Sequence, residues 1–236
     1  MQFLDLTLRT IEENLALDEA LLLEAEDGRG GELLRLWEWR QLAVVLGAGG
    51  SLADDVDEGA CVADGVPIRR RTSGGGTVLL DRGCLIYSLV LAYQRDDALR
   101  EIHSSYGYVL ARLQTALADA SIQPAGVNDL ALAGRKISGN AQQRKKTHLL
   151  HHGTLLLDFD IASMPRYLKM PARQPEYRLG RSHLEFIINL QRDRGEIVSN
   201  LQDIWQARSV LQTWPEERVK QLVDEKYQQE QWIRRR

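Results

Sequence analysis

The sequence has few cysteines, no long apolar run and no strong excess of one charge. Its 236 residues hold two cysteines, Cys61 and Cys84. Two thiols make no disulfide framework, and no zinc-type spacing occurs, so a reduced, cytoplasmic chain is expected. Nothing approaches the roughly eighteen consecutive apolar residues of a membrane span, so no membrane segment is expected. Met1 to Thr10 lacks the basic start, apolar run and cleavage site of a signal peptide. Lys and Arg total 30 against 33 Asp and Glu, a net charge of -3. That balance demands no nucleic-acid partner, although local clusters could still bind an anion. There is no internal repeat and no long linker.

The apolar content of 44% suits a globular protein with a buried core. The length fits one large domain, or one domain with a small appendage. Thr10 and Glu13 form a capping-box pattern that starts a helix carrying Leu15, Ala16, Ala20, Leu22 and Leu23 and ending near Gly28. Residues 32–39 and 42–47 read as a strand pair, and 51–64 as a short acidic helix. Residues 77–80 and 85–93 read as a hairpin around Asp81-Arg82-Gly83. Helical spacing of Tyr106, Val109, Leu110, Leu113 and Leu117 predicts a long helix over about 97–120. Three strands are expected within 127–159, a short helix at 161–168, and helices after about residue 197. Pro215 stands near the start of the last of these. The expected fold is α+β, one mixed or antiparallel sheet covered by helices. Residues 1–195 form the expected catalytic domain, and 196–236 a helical extension packed on it.

Three stretches can carry chemistry. The first is Arg70-Arg71-Thr72-Ser73-Gly74-Gly75-Gly76-Thr77-Val78. Glycines let the main chain approach a ligand, and successive backbone N–H groups can cradle an anion beside the arginines. The spacing is neither that of a dinucleotide fingerprint nor that of a P-loop. Glycine content alone leaves open a tight hairpin beside a basic edge. The second is Asn128-Asp129-Leu130, followed by Gly134-Arg135-Lys136-Ile137-Ser138-Gly139. Asp129 could hold magnesium together with substrate phosphates. Lys136 could neutralise charge on a reacting carboxylate. The plain alternative is a turn and a surface lysine. The third is His151-His152-Gly153-Thr154 before three leucines. Adjacent strand residues face opposite ways, which speaks against both imidazoles binding one ion. His152 is the candidate for a pocket wall.

In this order, these stretches resemble the lipoate–protein ligase family, within the wider group of biotin and lipoate ligases and octanoyltransferases. Glu225-Lys226-Tyr227 and Trp232 extend the match to the C-terminus. The resemblance implies the fold shared with biotin ligases and class II aminoacyl-tRNA synthetases. It implies that lipoate and ATP, with Mg²⁺, form lipoyl-adenylate, from which a lysine of a lipoyl-carrier domain takes the acyl group. Arg71 would contact phosphate, and Ser73 with Gly74, Gly75 and Gly76 would shape the acyl pocket. Gly76, Thr77, Val78 and Leu79 would meet the nucleotide. Asn128 and Asp129 would lie near magnesium and phosphates, Asp129 as the metal ligand. Lys136 would bridge carboxylate and α-phosphate as the catalytic residue. Ser138, Gly139 and His152 complete the ligand-binding set.

Two other readings stand beside this one. One is an octanoyl or lipoyl transferase that draws on an acyl-carrier thioester without ATP. Such relatives use a nucleophilic cysteine, in one branch where this chain has Asn128-Asp129. The other is a non-catalytic binding protein of the same fold. Many ligases of the family carry a further C-terminal domain, so a separate accessory polypeptide is an open partner. Residues 171–190, with Arg173, Tyr177, Arg178, Arg181, His183 and Phe186, are either a basic connecting loop or a surface for an acidic carrier domain.

Overall fold

Two β-sheets organise the chain in a computed structural model that describes residues 1–235. The larger runs from edge to edge through β11 (Ser209–Val210), β1 (Gln2–Asp5), β2 (Leu33–Glu38), β6 (Cys84–Ala92), β10 (His148–Leu156), β9 (Arg135–Arg144), β8 (Asp129–Leu132) and β7 (Ile122–Ala125). β11, β1 and β2 are parallel, and every other pairing in this sheet is antiparallel. The smaller sheet is β4 (Ile68–Arg70), β3 (Ala43–Leu46) and β5 (Val78–Leu80), with β3 in the centre.

The large sheet is buried on both faces because its central strands are apolar on both. In β6, Leu85, Tyr87, Leu89 and Leu91 enter one core, with α4 (Ile102–Leu117) and α7 (Arg194–Trp205). Ile86 and Val90 of the same strand enter the other core, with α1 (Ile11–Glu26) and the small sheet. Each buried leucine or valine contributes roughly 1.5–3 kcal/mol. Helix α1 starts where the capping box places it. Thr10 Oγ1 accepts the Glu13 N–H at 3.2 Å, and Glu13 Oε2 accepts the Thr10 N–H at 2.9 Å. Its buried residues include the polar Asn14, Asp18 and Glu19.

The local elements match expectation better than their partners do. Residues 32–39 and 42–47 are strands but not a pair, since β2 lies in the large sheet and β3 in the small one. The expected hairpin is likewise divided: β5 pairs with β3, while β6 pairs with β2 and β10. Alternation marks a strand and its faces, whereas the choice of partner is a non-local contest among strands. Hence there are two sheets where one was expected. The acidic helix breaks into α2 (Leu52–Asp55) and α3 (Glu58–Asp64), each with its own cap from Ser51 and Asp57. The long helix is shortened to α4, preceded by a 3₁₀ turn over Asp97–Arg100 and closed by Ala118 at φ 50°. The remaining helices are α5 (Met164–Tyr167), α6 (His183–Phe186), α8 (Glu216–Leu222) and α9 (Glu230–Ile233), with a π turn at Val223–Tyr227. No helix among the described residues is long and apolar enough to cross a membrane.

Candidate active site

A cleft opens between the two sheets, with a volume of about 620 Å³ including its open mouth. Its apolar wall is Leu15 of α1, Trp37 of β2, Val45 of β3, Val78 and Leu80 of β5, and Ile86 of β6. Its polar end is Arg71, Asn128, Lys136, Asn140 and His152, with Gly76, Thr77, Gly139, Gly153 and Thr154. The two glycine-bearing motifs therefore face each other across one cavity with a hydrocarbon-like interior.

Of the residues picked from sequence, Arg71, Gly76, Thr77, Val78, Asn128, Lys136, Gly139 and His152 line the cleft directly. Ser73 is buried just behind His152, while Gly74 and Gly75 are exposed in the loop. Ser138 is fully buried, within 3.3 Å of Asn140. Leu79 turns its side chain away from the cleft, which leaves its backbone for any contact with a nucleotide. It is 2% exposed in the core, because alternation along β5 sends Val78 and Leu80 to the cleft and Leu79 away from it.

Arg71 acts as the keystone of the glycine loop. Its Nε donates to Ser73 Oγ at 3.0 Å and its Nη1 to the Val45 carbonyl at 3.2 Å. Its Nη2 donates to the carbonyls of Gly74 at 2.7 Å and Gly76 at 2.8 Å. Burial lowers its pKa to about 10. Most of its donors thus hold the loop, and its positive charge faces the cleft. Gly75 needs its φ of 84°, and Gly47 must be glycine because a Cβ there would lie 2.1 Å from the Gly75 carbonyl oxygen.

Lys136 reaches the cleft through a β-bulge. β8 and β9 pair Leu130 with Ser138 but Ala131 with Lys136, which skips Ile137. The extra residue shifts the alternation, so Lys136 shares the cleft side with Gly139 and Ala141. A Cβ on Gly139 would lie 2.6 Å from Lys136 Nζ, so the bare glycine makes room for the lysine. Nζ lies 2.8 Å from Asp129 Oδ1, an ion pair off the hydrogen-bond direction. The Tyr177 hydroxyl donates to Asp129 Oδ2 at 2.7 Å. Burial, then the Asp129 carboxylate, pushes the Tyr177 phenol well up.

The two histidines part as adjacent strand residues must. His151 is fully buried against the Tyr87 and Tyr106 rings, with Nδ1 3.1 Å from Gln142 Nε2. Burial lowers its pKa to about 3. His152 faces the cleft and Ser73. Gly153 is required because the Asn140 side chain fills its side-chain space: a Cβ would meet Asn140 Oδ1 at 2.0 Å.

No group of three His, Cys, Asp or Glu side chains forms a metal site among the described residues. Asp129 fits only as a single carboxylate toward a magnesium ion that nucleotide phosphates bring with them. Both cysteines are buried away from the cleft lining, Cys61 in α3 and Cys84 at the start of β6. Burial pushes the Cys61 thiol up to about 11, with Asp57, Asp64 and Glu58 adding to it. Burial also pushes Cys84 well up.

Of the two readings of residues 171–190, the carrier-binding surface loses Arg178. Arg178 is 4% exposed, its Nε donates to the Arg181 carbonyl at 2.9 Å, and its guanidinium lies over Phe186 at 4.7 Å. Arg181 donates in turn to the carbonyls of Tyr177 at 2.6 Å and Gly134 at 2.9 Å. The segment instead buttresses the turn that leads to Lys136. Sequence reasoning missed Tyr177 as a cleft partner, and also Asp18. An acid three residues after Leu15 and four before Leu22, on a helix's apolar stripe, is the signal that could have exposed Asp18.

Residues 10–207 match the family model described as the lipoyl protein ligase A/B catalytic domain. The octanoyltransferase LipM of Carboxydothermus hydrogenoformans is 27% identical over 253 residues, covering 94% of this chain and 93% of that protein. The probable lipoate-protein ligase A of Mycoplasma pneumoniae is 31% identical over 159 residues, covering 66% of this chain and 45% of that protein. Among solved structures, a bi-partite lipoate protein ligase from Thermoplasma acidophilum, studied with its E2 lipoyl domain, superposes with a TM-score of 0.82 at 24% identity. That superposition covers 99% of this chain and 95% of the other, and shows a shared fold.

Proposed function

The chain belongs to the lipoyl protein ligase A/B catalytic-domain family, and within it we propose an ATP-dependent ligase that activates lipoate, or a similar acid, for transfer to a lysine of a lipoyl-carrier domain. The observation that carries this reading is a cleft with a lysine and an arginine at its polar end and no thiol in its lining. A thioester route of the cysteine type needs a thiolate at the reacting carbon. Here both thiols are buried elsewhere, and their raised pKa disfavours the thiolate.

In this reading the apolar wall takes the hydrocarbon tail. Burying about seven methylenes contributes on the order of 5 kcal/mol. A carboxylate oxygen of the acid attacks the α-phosphorus of ATP, and pyrophosphate leaves. The amine of the carrier lysine then attacks the anhydride carbonyl, and AMP leaves. Lys136 and Arg71 supply positive charge where the two anions meet. Lys136 exchanges its Asp129 partner for the reacting oxygens. Magnesium, when bound, neutralises phosphate charge, and Asp129 is the carboxylate that would hold it. The carrier domain, and a separate accessory polypeptide if one is needed, belong to the same proposal.

A second reading, acyl transfer from a carrier thioester without ATP, draws the stronger support from the relatives: octanoyltransferases LipM from several organisms align over 70% to 94% of the chain. Isotope exchange separates the two. Purified protein is expected to exchange labelled pyrophosphate into ATP only with lipoate or octanoate present. Acylation of a lipoyl domain from a carrier thioester, with no exchange, would replace the ligase reading by the transferase one.

A further inference from the structure

Behind the cleft wall, a line of polar groups runs from α1 to the glycine loop. Asp18 is 2% exposed and Arg35 is fully buried. Arg35 Nη1 donates to Asp18 Oδ1 at 2.6 Å, and the Ser88 hydroxyl donates to Asp18 Oδ2 at 2.7 Å. Oδ2 also faces His152 Nδ1 across 3.5 Å. On the far side of the ring, Nε2 lies 2.5 Å from Ser73 Oγ, and that oxygen accepts the Arg71 Nε–H at 3.0 Å. Desolvation works against a charged Asp18, but Arg35, His152 and Ser88 more than offset it, and its carboxyl lies below the usual range.

We infer that Asp18 is a positioning residue for acyl-substrate binding, acting through the tautomer of His152 on Ser73, Arg71 and the glycine loop. The inference rests on the proposed acyl-binding role of the cleft. An ionised carboxylate only accepts, so in the neutral ring the imidazole proton sits on Nδ1 facing Asp18. Nε2 then accepts the Ser73 O–H. The Ser73 oxygen keeps its lone pairs for Arg71, whose other donors tie down Gly74 and Gly76. Each link donates in the same direction, from Arg71 through Ser73 and His152 to Asp18; reversing the last reverses the Ser73–His152 link, while Arg71 can only go on donating to Ser73. In Asp18→Asn the oxygen must stay toward the Arg35 donor, so the amide NH₂ turns to His152. The imidazole proton moves to Nε2, and the Ser73 hydroxyl hydrogen loses its acceptor.

The test combines side-chain ¹⁵N NMR of the substrate-free chain with a double-mutant cycle. Wild-type His152 is expected as the Nδ1–H tautomer, and Asp18→Asn as the Nε2–H tautomer. Asp18→Asn is expected to raise KM for the acyl acid by about tenfold, the equivalent of 1.4 kcal/mol, with kcat changed by less than about twofold. Combined with Ser73→Ala, the same substitution should add almost nothing, because its effect passes through Ser73. If Asp18→Asn does not fold, the tautomer of wild-type His152 decides the inference by itself, since replacing His152 would change the cleft lining directly. A proton on Nε2 of wild-type His152, alone or together with one on Nδ1, or a full effect of Asp18→Asn in the Ser73→Ala background, overturns the inference. The NMR readout needs no acyl substrate, so a failure of the ligase reading leaves the tautomer result standing on its own.

Discussion

The Lys136 ammonium lies 2.8 Å from Asp129 Oδ1, while the Tyr177 hydroxyl holds the other oxygen of that carboxylate at 2.7 Å. The lysine is thus parked on a buried carboxylate at the cleft's polar end. It can turn to a substrate anion while Tyr177 keeps Asp129 hydrogen-bonded.

Lys136→Ala is therefore expected to cut acid-dependent pyrophosphate exchange by about two to three orders of magnitude, in line with the loss of one stabilising charge. Lys136 is 29% exposed in its side chain but its partner Asp129 is 5% exposed, so a lower melting temperature is expected in a protein that still folds. Undiminished exchange would remove Lys136 from the proposed role.

Gly139→Ala isolates placement from charge. The added Cβ presses on the flexible end of Lys136, Nζ at 2.6 Å and Cε at 2.7 Å, with Asp129 Oδ1 at an ordinary contact distance of 3.6 Å. The fold should survive, measured by circular dichroism, while activity drops at least about tenfold as the lysine is displaced. Gly153→Ala offers the contrast. Its Cβ meets a buried side chain at 2.0 Å and the Gly139 carbonyl oxygen at 2.8 Å, so lost stability is expected there.

Tyr177→Phe removes one hydrogen bond to a buried carboxylate and nothing else. A loss of about 1.5–3 kcal/mol is expected in urea denaturation, the range for a bond to a charged group. Unchanged stability would mean that water or another donor replaces the hydroxyl.

Cys61→Ser combined with Cys84→Ala should leave kcat for carrier acylation within about threefold of wild type, since neither thiol lines the cleft. Iodoacetamide at mild alkaline pH should likewise spare the folded enzyme. Acyl transfer abolished by either substitution alone, in protein that still folds, would point to a thioester route.

Acid should weaken the fold in part through His151. Its folded pKa is about 3 against an ordinary 6.5, so between those values the unfolded chain binds a proton that the folded one does not. Stability therefore falls as pH drops through that window, at most about 1.4 kcal/mol per pH unit from this group. His151→Gln should flatten the decline of melting temperature between pH 6.5 and pH 4. An identical decline would assign it to other groups.

Much of the local structure was legible in the residues. The capping box at Thr10 and Glu13 placed the start of α1, and alternation with turn signals placed three strands within 127–159. The glycine run and the Asn128-to-Gly139 stretch marked both sides of the cleft. These signals are local, since periodicity and capping are properties of neighbouring residues.

Only the tertiary structure decided which strands pair and which side chains meet. β2 and β3 are neighbours in sequence and belong to different sheets. The bulge that skips Ile137 turns Lys136 into the cleft, and no period in the sequence announces it. Asp18 and His152 are far apart in the chain, and their meeting depends on how α1 packs over β10. Arg178, open in sequence between a connecting loop and a carrier surface, is buried by the loop it supports. Residue identities determined the available chemistry. Long-range hydrogen bonding and packing determined which groups share one cavity.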